Sequence, residues 1–600
     1  MIYQDTLKRN LEAIKLTSPI TYKWLSQNFD KLNDIDKKIT KNKKQMWDFK
    51  LNNGLMMEGF PLSHYFSWAT ADKVGLYVVV GANVGYGVAL LLEKSPSFSK
   101  IIVIEPNAEM IFATLTIADY SPFIKKGKII FLPPEKDVIN DFFDNLTPFL
   151  KHTKTKLFID PPSARLTNSY IRMGQTIKNI IDDKMVVLST ILRLQKTFVT
   201  NELLNFYNVF KDRTLRPLTG QKRDLIAIIL GAGPSLEHFL PHLKDFKDKC
   251  LFTTSLQTLP ACFIKGFQPH LCMAIDPSKV LTQVFNKVTE DYLKQILFVY
   301  SPKIDPEVVD RYPGCKFSIW SSGGIGSDIK KTYDLVIDTG GNVSIGLIRL
   351  LHLIGIKKFI LVGQDFSWKE TKTHSTGHHG ANTSIQFDPN IHIKLKNLYG
   401  EVIYSTKSYL AAARELESDI RKHKLEVYNL YGGGVEISGA KNITIKDFKS
   451  LVEDSNKNEL NKLLNDLTSN KTERYYFPHI PFESKQWFSS INNFEKRLKK
   501  LYKKSKNNKN KIRSAYYELH IFLTQHPLYK YYIYNEILEL SKYIFIQEKY
   551  KLSDLAYTKK IIDKIKKKLK YLDNILEQQH KKIKKHFTLN NISKIKYIAA

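Results

Sequence analysis

Cysteine is scarce in this sequence of 600 residues, and long apolar runs are missing from it. The four cysteines form no CxxC pair, which excludes a disulfide framework and paired-cysteine metal sites and predicts a reducing compartment. No apolar run approaches the ~20 residues of a membrane helix. The start, MIYQDTLKRNLEAIKL, carries charges where a signal peptide has its apolar stretch. These absences predict a cytoplasmic protein with no transmembrane segment.

Acidic residues are also under-represented. The chain has 59 Asp and Glu against 91 Lys and Arg, a formal net charge of +32, and more than half of this charge lies beyond residue 481. Such a balance favours an anionic partner, which includes nucleic acid, an acidic membrane face or a phosphate-bearing small molecule. Since no paired aromatic and basic motif of a nucleic-acid module is present, we expect no nucleic-acid partner. Peripheral membrane contact stays open.

Two series of short apolar runs alternate with amphipathic segments, which is typical of parallel α/β sheets. The first follows a helical lead-in over residues 1 to about 70 and contains GLYVVVG, KIIVIEP, KIIFL and KLFID. The second runs from LIAIIL to KFILVGQD. Beyond residue 450 the spacing of apolar residues predicts helices only. We therefore predict an α/β protein with two doubly wound Rossmann-like domains, over 1–215 and 216–450, and an all-α helical bundle domain over 451–600.

A glycine-rich turn follows the strand LIAIIL. Gly231, Gly233, Pro234, Ser235 and Leu236 lie in GAGPSL, directly before a predicted helix, EHFLPHL. Glycines at a strand-to-helix turn let the backbone approach a phosphate, and the helix start offers free N–H groups. Tight turns need glycine for their own geometry as well, so this motif alone is weak.

Further polar motifs follow other predicted strands. The carboxyl ends of strands in a doubly wound sheet converge on one crevice, where ligands bind. We therefore predict one nucleotide site from the loop together with these positions: Asp276, Ser278, Thr339, Gly340, Gly341, Asn342, Gly363, Gln364 and Asp365.

These motifs carry a family resemblance. GAGPSL, the DPS of 276–278, TGGNV before the helix SIGLIRLLHLIG, GQDFSW and the later YGGGVEISGA resemble the motility-associated factor (Maf) family. Its members are flagellin glycosyltransferases, and their central domain is similar to bacterial sialyltransferases that use CMP-activated sugars. The resemblance implies transfer of a nonulosonic acid, of the pseudaminic or legionaminic type, from a CMP-sugar to Ser or Thr of flagellin for flagellum assembly and motility. Asp276 and Ser367 depart from the NPS and GIDFY motifs of the sialyltransferases.

Transfer from a CMP donor requires a stabilised leaving phosphate and a base for the acceptor hydroxyl. The GAGPSL amides suit the phosphate, and Asp365 is expected to orient the donor or to bind a divalent metal, whose requirement the sequence leaves unknown. His374, in a loop expected to be flexible, is the first candidate for the base. The region around Glu401 is a second candidate region, so the base stays unassigned.

A second glycine motif lies in the amino-terminal series. Gly81-Ala82-Asn83-Val84-Gly85-Tyr86-Gly87, followed by Glu105 in IEPN, resembles the GANxGY…EPN pattern of FkbM-type methyltransferases. An acidic residue about 20 positions beyond the glycines can bind a ribose. The acidic residue that such enzymes carry before the loop is absent here, which favours a supporting domain or an acceptor-docking domain over active methylation.

Two other functions stay open. A pterin diphosphokinase of archaeal type shares the central domain, and a non-catalytic flagellin-binding protein or chaperone could retain the fold.

Overall fold

The computed structural model describes these residues of the chain: 2–52, 54–58, 60–68, 74–328, 334–381, 385–453, 455–474, 476–479, 484–504, 509–525, 527–546, 555–589 and 596–599. The chain divides into two compact units. Unit 1 comprises residues 1–188, 498–520 and 538–556, and unit 2 comprises 189–497, 521–537 and 557–600. The boundaries predicted after residues 215 and 450 stay predictions.

The main sheet of unit 1 is parallel and has the order β6-β5-β4-β7. Its strands are the four predicted apolar runs: β4 Val74–Val80, β5 Lys100–Ile104, β6 Ile129–Leu132 and β7 Lys154–Ile159. Every residue of β4 is buried, as expected for a central strand covered on both faces. The chain runs outward from β4 to β6 and then returns to place β7 on the other side of β4. The strand order therefore reverses between β4 and β7.

The lead-in of unit 1 is helical only up to Lys38, so the prediction of helix to residue 70 is wrong in its second half. A small antiparallel sheet follows, with strands β1 Ile39–Lys41, β2 Trp47–Leu51 and β3 Gly54–Leu55, and then a 3-10 helix, Leu62–Trp68. Trp47, Phe49 and Leu51 recur at a period of two, which is the spacing of a half-buried strand.

The helices numbered before unit 2 are α1 Ile2–Thr17, α2 Pro19–Ser26, α3 Ile35–Lys38, α4 Tyr86–Lys94, α5 Ala108–Ile117, α6 Ser121–Lys125, α7 Lys136–Asp144, α8 Thr147–His152, α9 Pro161–Leu166 and α10 Ser169–Leu204. The predicted long helix from Ser169 is confirmed as α10, which ends at Leu204 and is followed by a short helix.

The main sheet of unit 2 has eight parallel strands in the order β12-β11-β10-β9-β8-β15-β18-β19. These strands are β8 Ile226–Leu230, β9 Leu251–Ser255, β10 Leu271–Ala274, β11 Leu297–Tyr300, β12 Lys316–Ser318, β15 Lys358–Val362, β18 Glu426–Leu430 and β19 Lys441–Ile443. The chain moves outward from β8 to β12 and later places β15 against the other edge of β8. The order reverses between β8 and β15, and such a switch point is where ligands bind in open α/β sheets.

Six further strands lie outside this sheet: β13 Trp320–Ser321, β14 Val336–Ile337, β16 His392–Lys396, β17 Val402–Thr406, β20 Tyr476–His479 and β21 Lys596–Ala599. The predicted strand DLVIDTG is therefore only the short β14, which pairs with β13. The antiparallel hairpin β16–β17 was not predicted.

The remaining helices are α11 Phe206–Lys211, α12 Leu236–Phe239, α13 Leu259–Ile264, α14 Glu290–Lys294, α15 Pro306–Arg311, α16 Val343–Leu353, α17 Lys407–His423, α18 Ile445–Glu453, α19 Lys457–Thr468, α20 Ser484–Lys504, α21 Lys509–Leu523, α22 Pro527–Tyr532, α23 Tyr534–Phe545 and α24 Leu555–Leu589. The helix predicted after GAGPSL is shorter than expected. Only α12 is α-helical, and Leu240–Phe246 forms a 3-10 helix. Pro241 explains the change, because proline lacks the N–H that a continuing α-helix requires.

Helices dominate beyond residue 450, as predicted, and one face of α24 is buried through Ile561, Ile562, Ile565, Leu569 and Leu572. A separate all-α carboxyl-terminal domain is not confirmed, because residues 498–520 and 538–556 group with unit 1 and the neighbouring segments with unit 2. The parallel pair β20–β21 also corrects the prediction of helices alone. In the described part of the chain, no helix has both the length and the apolar character needed to cross a membrane.

All four cysteines are free thiols. Cys250, Cys262 and Cys272 lie in the apolar interior of unit 2, and Cys315 is half-buried. Burial raises the pKa of Cys250 to about 11 and that of Cys262 and Cys272 to about 12. Burial raises the pKa of the Cys315 thiol as well.

Candidate functional site

A cavity of about 160 Å³ lies at the switch point of unit 2, where β8 and β15 end. It is lined by Leu230, Gly231, Ala232, Gly233, Ser255, Gln257, Thr258, Asn342, Val343, Ser344, Gly363, Gln364, Asp365, Phe366, Ser367, Thr373, His374, His378 and Tyr409. The structure thus brings together seven of the predicted site residues: Gly231, Gly233, Asn342, Gly363, Gln364, Asp365 and His374.

The glycines of the loop after β8 allow close packing against the loop after β15. A Cβ on Gly231 would lie 2.5 Å from the carbonyl oxygen of Gly363, and one on Gly233 would lie 2.6 Å from the same atom. Real Cβ atoms do not approach so closely. Glycine is therefore required here by the protein's own packing, whatever else the loop binds.

The amides of this loop donate within the protein. Gly231 N donates to Val362 O (2.8 Å), and Gly233 N donates to Gly363 O (3.0 Å). The amide of Ser235 donates to Oδ2 of Asp365 at 2.9 Å. These bonds fix the shape of the turn, and they occupy N–H groups that the sequence assigned to a donor phosphate.

Asp365 holds the glycine loop through its carboxylate. Its Oδ1 accepts a hydrogen bond of 2.6 Å from the Ser235 hydroxyl, and its Oδ2 accepts the Ser235 amide. Burial raises the pKa of Asp365, and the two bonds from Ser235 oppose that shift. Both oxygens are therefore engaged in positioning the loop. Pro234 and Ser235 are half-buried beside the cavity, and Leu236 is part of the apolar core.

The start of α16 faces the cavity. The side chain of Asn342 accepts the amide of Ser344 (2.8 Å) and so caps the helix. The hydroxyl of Ser344 accepts a hydrogen bond of 2.7 Å from Gln364 Nε2. Neutral donors and the positive end of the dipole of an 11-residue helix thus meet at one wall.

Thr339, Gly340 and Gly341 precede this helix and are not among the lining residues. Thr339 is buried, Gly340 has a positive φ of +59°, and Gly341 has open space around its Cα. Arg349 anchors the segment, since its guanidinium donates to the carbonyl oxygen of Asp338 at 2.9 Å.

The DPS motif after β10 forms a local turn. Asp276 is exposed, and its carboxylate accepts the amide of Ser278 (2.8 Å). The hydroxyl of Ser278 accepts the amide of Val280 and caps the 3-10 helix Lys279–Asn286. Neither residue lines the cavity. The negative charge of Asp276 acts on His379, whose pKa it raises while burial lowers it more strongly.

Three histidines stack beside the cavity. The rings of His374 and His378 lie 4.1 Å apart and within 10° of parallel, and His379 follows at 4.3 Å from His378. Burial, together with the neighbouring His379, lowers the pKa of His374 to about 4. Burial and the two neighbouring rings lower the pKa of His378 to about 2. Both imidazoles in the cavity wall are therefore neutral at physiological pH.

The bonds of His378 fix its tautomer. Its Nδ1 accepts the amide of Gly380 (3.1 Å), so in the neutral ring the proton lies on Nε2 and is donated to Oε1 of Gln257 (3.1 Å). His374 has hydroxyl partners on both sides: Thr373 Oγ1 at 2.9 Å from Nδ1, and the Tyr409 hydroxyl at 3.4 Å from Nε2.

The loop from Glu370 to His379, called the histidine loop below, was expected to be flexible. Hydrogen bonds and an ion pair connect it to residues 231–237, which contain the glycine loop. Ser375 is fully buried, and its amide donates to Ala232 O at 2.9 Å. Glu237 accepts the amide of Thr376 and forms an ion pair with Lys372 (2.9 Å). The loop thus covers one side of the cavity.

Glu401 lies away from the cavity, in the turn of the β16–β17 hairpin. It pairs with Lys369 and accepts a hydrogen bond of 2.7 Å from Asn397. The bond with Lys369 lowers the pKa of Glu401. This arrangement stabilises the turn and leaves His374 as the sequence candidate that lines the cavity.

The predicted site lacks eight polar residues of the lining: Ser255, Gln257, Thr258, Ser344, Ser367, Thr373, His378 and Tyr409. Ser255 ends β9 and Gln257 follows it, so the polar residues at the end of LFTTS and after it were a usable signal. His378 follows His374 in the same loop and was given no role. Tyr409 lies on α17, and nothing in its local sequence indicates the cavity.

Side chains that could bind phosphate by their positive charge, or that together could hold a metal ion, are not found in the lining of the site among the described residues. Of the described residues that line the cavity, none is lysine or arginine. Within the described ranges, no group of three or more His, Cys, Asp or Glu is placed to hold a metal ion.

The fold and this cavity define a Rossmann-like α/β protein with a ligand crevice at the switch point of its larger sheet. Residues 200–371 match the family model described as 6-hydroxymethylpterin diphosphokinase MptE-like, and residues 58–128 match that of the glycosyltransferase Maf N-terminal domain. The resemblance to the Maf family is thereby confirmed, and the match of residues 58–128 supports a glycosyltransferase.

A solved structure is similar over almost the whole length of both chains. The Maf glycosyltransferase from Magnetospirillum magneticum AMB-1 matches with a TM-score of 0.58 and 14% identity, over 98% of this chain and 97% of that one. At this identity the likeness establishes a shared fold. No curated protein matches the sequence.

Proposed function

We propose that this protein transfers a nonulosonic acid, of the pseudaminic or legionaminic type, from a CMP-sugar to serine or threonine hydroxyls of flagellin in the cytoplasm, for flagellum assembly and motility. The observation that carries the proposal is the switch-point cavity with His374 in its wall, in a chain whose residues 58–128 match the Maf N-terminal domain and whose fold is similar to that of a solved Maf glycosyltransferase.

The chemistry of the lining supports a donor with one phosphate. Apart from the carboxylate of Asp365, which accepts both of its hydrogen bonds from Ser235, the polar groups of the lining are neutral: they include the amides of Gln257 and Asn342, the Ser344 hydroxyl and the start of α16. Nucleoside triphosphates are commonly bound through Mg²⁺ and a lysine or arginine. A CMP-sugar carries a single phosphodiester charge, which neutral donors and a helix terminus can stabilise.

The reaction would use these groups as follows. The acceptor oxygen attacks the anomeric carbon of the sugar as the bond from that carbon to the phosphate oxygen breaks. The electron pair leaves with CMP, and the hydroxyl proton passes to His374. The Asn342 side-chain NH2, the Ser344 hydroxyl and the positive end of the α16 dipole stabilise the charge that develops on the phosphate. Asp365 acts through Ser235 by holding the glycine loop against the crevice.

His374 is suited to accept this proton because its imidazole is already neutral. With a pKa of about 4 it is a weak base in the free protein. A bound anionic donor would raise that pKa and strengthen the base. The Tyr409 hydroxyl, 3.4 Å from Nε2, orients the ring.

The cavity holds only part of such a donor, because ligand pockets have volumes of about 300–1,000 Å³ and this one is about 160 Å³. Donor binding therefore requires a shift of the histidine loop. The contacts of Ser375 and Glu237 are the ones that this shift would break.

A second candidate function is supported by the match of residues 200–371 to the pterin diphosphokinase-like model. That reaction transfers a diphosphate from ATP and would need groups that bind several phosphate charges. A non-catalytic flagellin-binding protein is the third candidate.

One experiment separates the three. Purified protein is incubated with flagellin and either CMP-pseudaminic or CMP-legionaminic acid, and flagellin is weighed by intact mass spectrometry. We expect a mass increase of one or more nonulosonic acid residues. No increase with either donor, while flagellin still binds, would favour the non-catalytic function. Formation of pterin diphosphate and AMP from 6-hydroxymethylpterin and ATP would favour the kinase. An EDTA-treated sample tests the divalent metal that the sequence left open.

A further inference from the structure

The glycine loop of unit 1 lies at the second switch point of the molecule, after β4 and beside β7. It runs from Gly81 to Gly85, and α4 begins directly after it. In a Rossmann-like fold this is the place of a nucleoside cofactor, and the GANxGY…EPN pattern raises the expectation of one. The residues around the loop test whether such a cofactor fits.

Glu105, at the end of β5, has no oxygen left for a ribose. Its Oε2 accepts the amide of Ala82 at 2.7 Å. Its Oε1 accepts the amide of Asn107 (2.8 Å) and the hydroxyl of Tyr170 (2.7 Å). The carboxylate is fully buried. The phenol of Tyr170 thus makes the hydrogen bond that a ribose hydroxyl would make in a cofactor site.

Asp160, at the end of β7, is occupied in the same way. Its Oδ1 accepts the hydroxyl of Tyr65 at 2.6 Å, and its Oδ2 accepts the amide and the hydroxyl of Ser163 at 2.9 and 2.6 Å. Tyr65 belongs to the 3-10 helix Leu62–Trp68 and is 2% exposed. A second protein hydroxyl therefore stands on the other side of the switch point.

The glycines themselves face side chains. A Cβ on Gly81 would lie 2.8 Å from Cβ of Ser163, and one on Gly85 would overlap the Tyr120 hydroxyl. A Cβ on Gly87 would lie 2.5 Å from the ring of Trp68. All three approaches are closer than real Cβ contacts, so protein side chains pack directly against these glycines.

We propose that the switch point of unit 1 is permanently occupied by the protein's own tyrosines and takes no nucleoside cofactor. Tyr170 and Tyr65 hold Glu105 and Asp160 in place of a ligand, and together they close the crevice. The residues present do not fit S-adenosylmethionine or a dinucleotide. The loop has a structural role: together with Glu105 and Asp160 it packs the Leu62–Trp68 helix and the start of α10 against the carboxyl ends of the parallel strands. The proposal is independent of the glycosyl transfer in unit 2.

Hydrogen-exchange mass spectrometry on the full chain tests this directly, because it reports where a ligand binds. The probe is S-adenosylhomocysteine, with NAD as a second nucleoside ligand, each at about 1 mM, a concentration that would half-saturate even a site worth about 4 kcal/mol. We expect no change in exchange over the segment 81–107. Slower exchange there with either ligand would overturn the proposal, whereas protection confined to unit 2 would leave it standing.

A second measurement tests the role of the tyrosines. Tyr170→Phe and Tyr65→Phe each leave a buried carboxylate short of one donor, and we expect each to lower the melting temperature by about 2–6 °C. Tyr517→Phe is the control, since that side chain is half-exposed in the same unit. Melting temperatures of Tyr170→Phe and Tyr65→Phe equal to that of the control would contradict the proposed closure.

Discussion

The loops Gly81–Gly85 and Gly231–Ser235 have the same position in two parallel sheets, yet protein side chains close the first and the second borders a cavity. Each follows a central strand at a switch point, and each donates an amide to a carboxylate from a neighbouring strand, Glu105 in unit 1 and Asp365 in unit 2. Over the first loop the chain places Tyr65 and Tyr170; over the second it places the histidine loop with His374.

The comparison shows that a glycine motif of this kind indicates close backbone packing, and that it does not by itself indicate a bound ligand. The substitution of a Cβ would produce overlap at both loops. What decides function is the remote segment that the fold brings over the switch point. The two loops therefore predict different consequences for substitution: loss of transfer in unit 2 and loss of stability in unit 1.

The largest expected effect is on catalysis at the cavity of unit 2, beside the glycine loop that follows β8. His374→Ala removes the proposed base, and general-base contributions lead us to expect a loss of about 10²- to 10⁴-fold in transfer rate. The measurement is the rate of mass increase of flagellin at saturating donor. His242→Ala is the matched control, because this histidine is exposed on the Leu240–Phe246 helix. Equal rates for His374→Ala and the control would remove His374 from the mechanism.

The next largest expected effect is a loss of stability on substitution in the glycine loop of unit 1. Gly85→Ala forces a side chain onto a backbone with φ +95° and onto the Tyr120 hydroxyl. We expect a loss of about 3 kcal/mol in the free energy of unfolding of unit 1, the sum of backbone strain and overpacking. Gly127→Ala, in the same unit, has a φ of +63°, and its Cβ would meet only the flexible end of Lys100 at 3.4 Å, so it isolates the strain. Denaturant melts of both variants give the comparison, and the overlap at Gly85 would be refuted by equal midpoints.

A smaller effect is expected when Asp365, the carboxylate that holds the glycine loop of unit 2, is replaced by a neutral amide. In Asp365→Asn the side-chain oxygen can still accept the Ser235 amide, and the Ser235 hydroxyl must turn round to accept from the NH2, so both bonds lose their charged acceptor. We expect a cost of about 1 kcal/mol, visible as weaker CMP binding in calorimetry. Glu105→Gln is more disruptive locally, because its NH2 would face the backbone N–H of either Ala82 or Asn107. There we expect lost stability with unchanged CMP affinity. The comparison fails if Glu105→Gln weakens CMP binding as much as Asp365→Asn does.

The smallest expected effect is that of pH on transfer. A general base must be unprotonated, and the neutral fraction falls only as pH drops through its pKa, which is about 4 for His374. Between pH 8 and pH 6 we therefore expect kcat/KM, measured at sub-saturating donor so that it reports the free protein, to change by less than about twofold. An initial-rate series in that range measures it. A tenfold fall per unit below pH 7 would require a base with an ordinary or raised pKa.

The sequence predicted most of the two sheets, because β4, β5, β8 and β15 are continuous apolar runs of strand length. It also predicted that Gln364, Asp365 and His374 lie near the glycine loop, since strand ends at a switch point converge. The hairpin β16–β17 was missed, because only two of its ten strand residues are buried and polar residues interrupt its apolar ones.

The positions of the two tyrosines that cover the switch point of unit 1 could not be predicted from the sequence. Tyr65 is 95 residues from Asp160, and Tyr170 is 65 residues from Glu105. These pairs form only after the sheet has assembled, and no local pattern marks a tyrosine that will stand over a distant strand end. The same reason explains Tyr409, which reaches His374 from α17.

The burial of the four thiols makes the chain well suited to site-specific labelling. Thiolates react with maleimides, and the raised pKa values of Cys250, Cys262, Cys272 and Cys315 leave little thiolate at neutral pH. One cysteine introduced at an exposed position would therefore take up a fluorophore ahead of the native ones. Placed at Thr371, an exposed residue next to Lys372 on the histidine loop, such a dye would report in real time on whether that loop moves when the sugar donor is added.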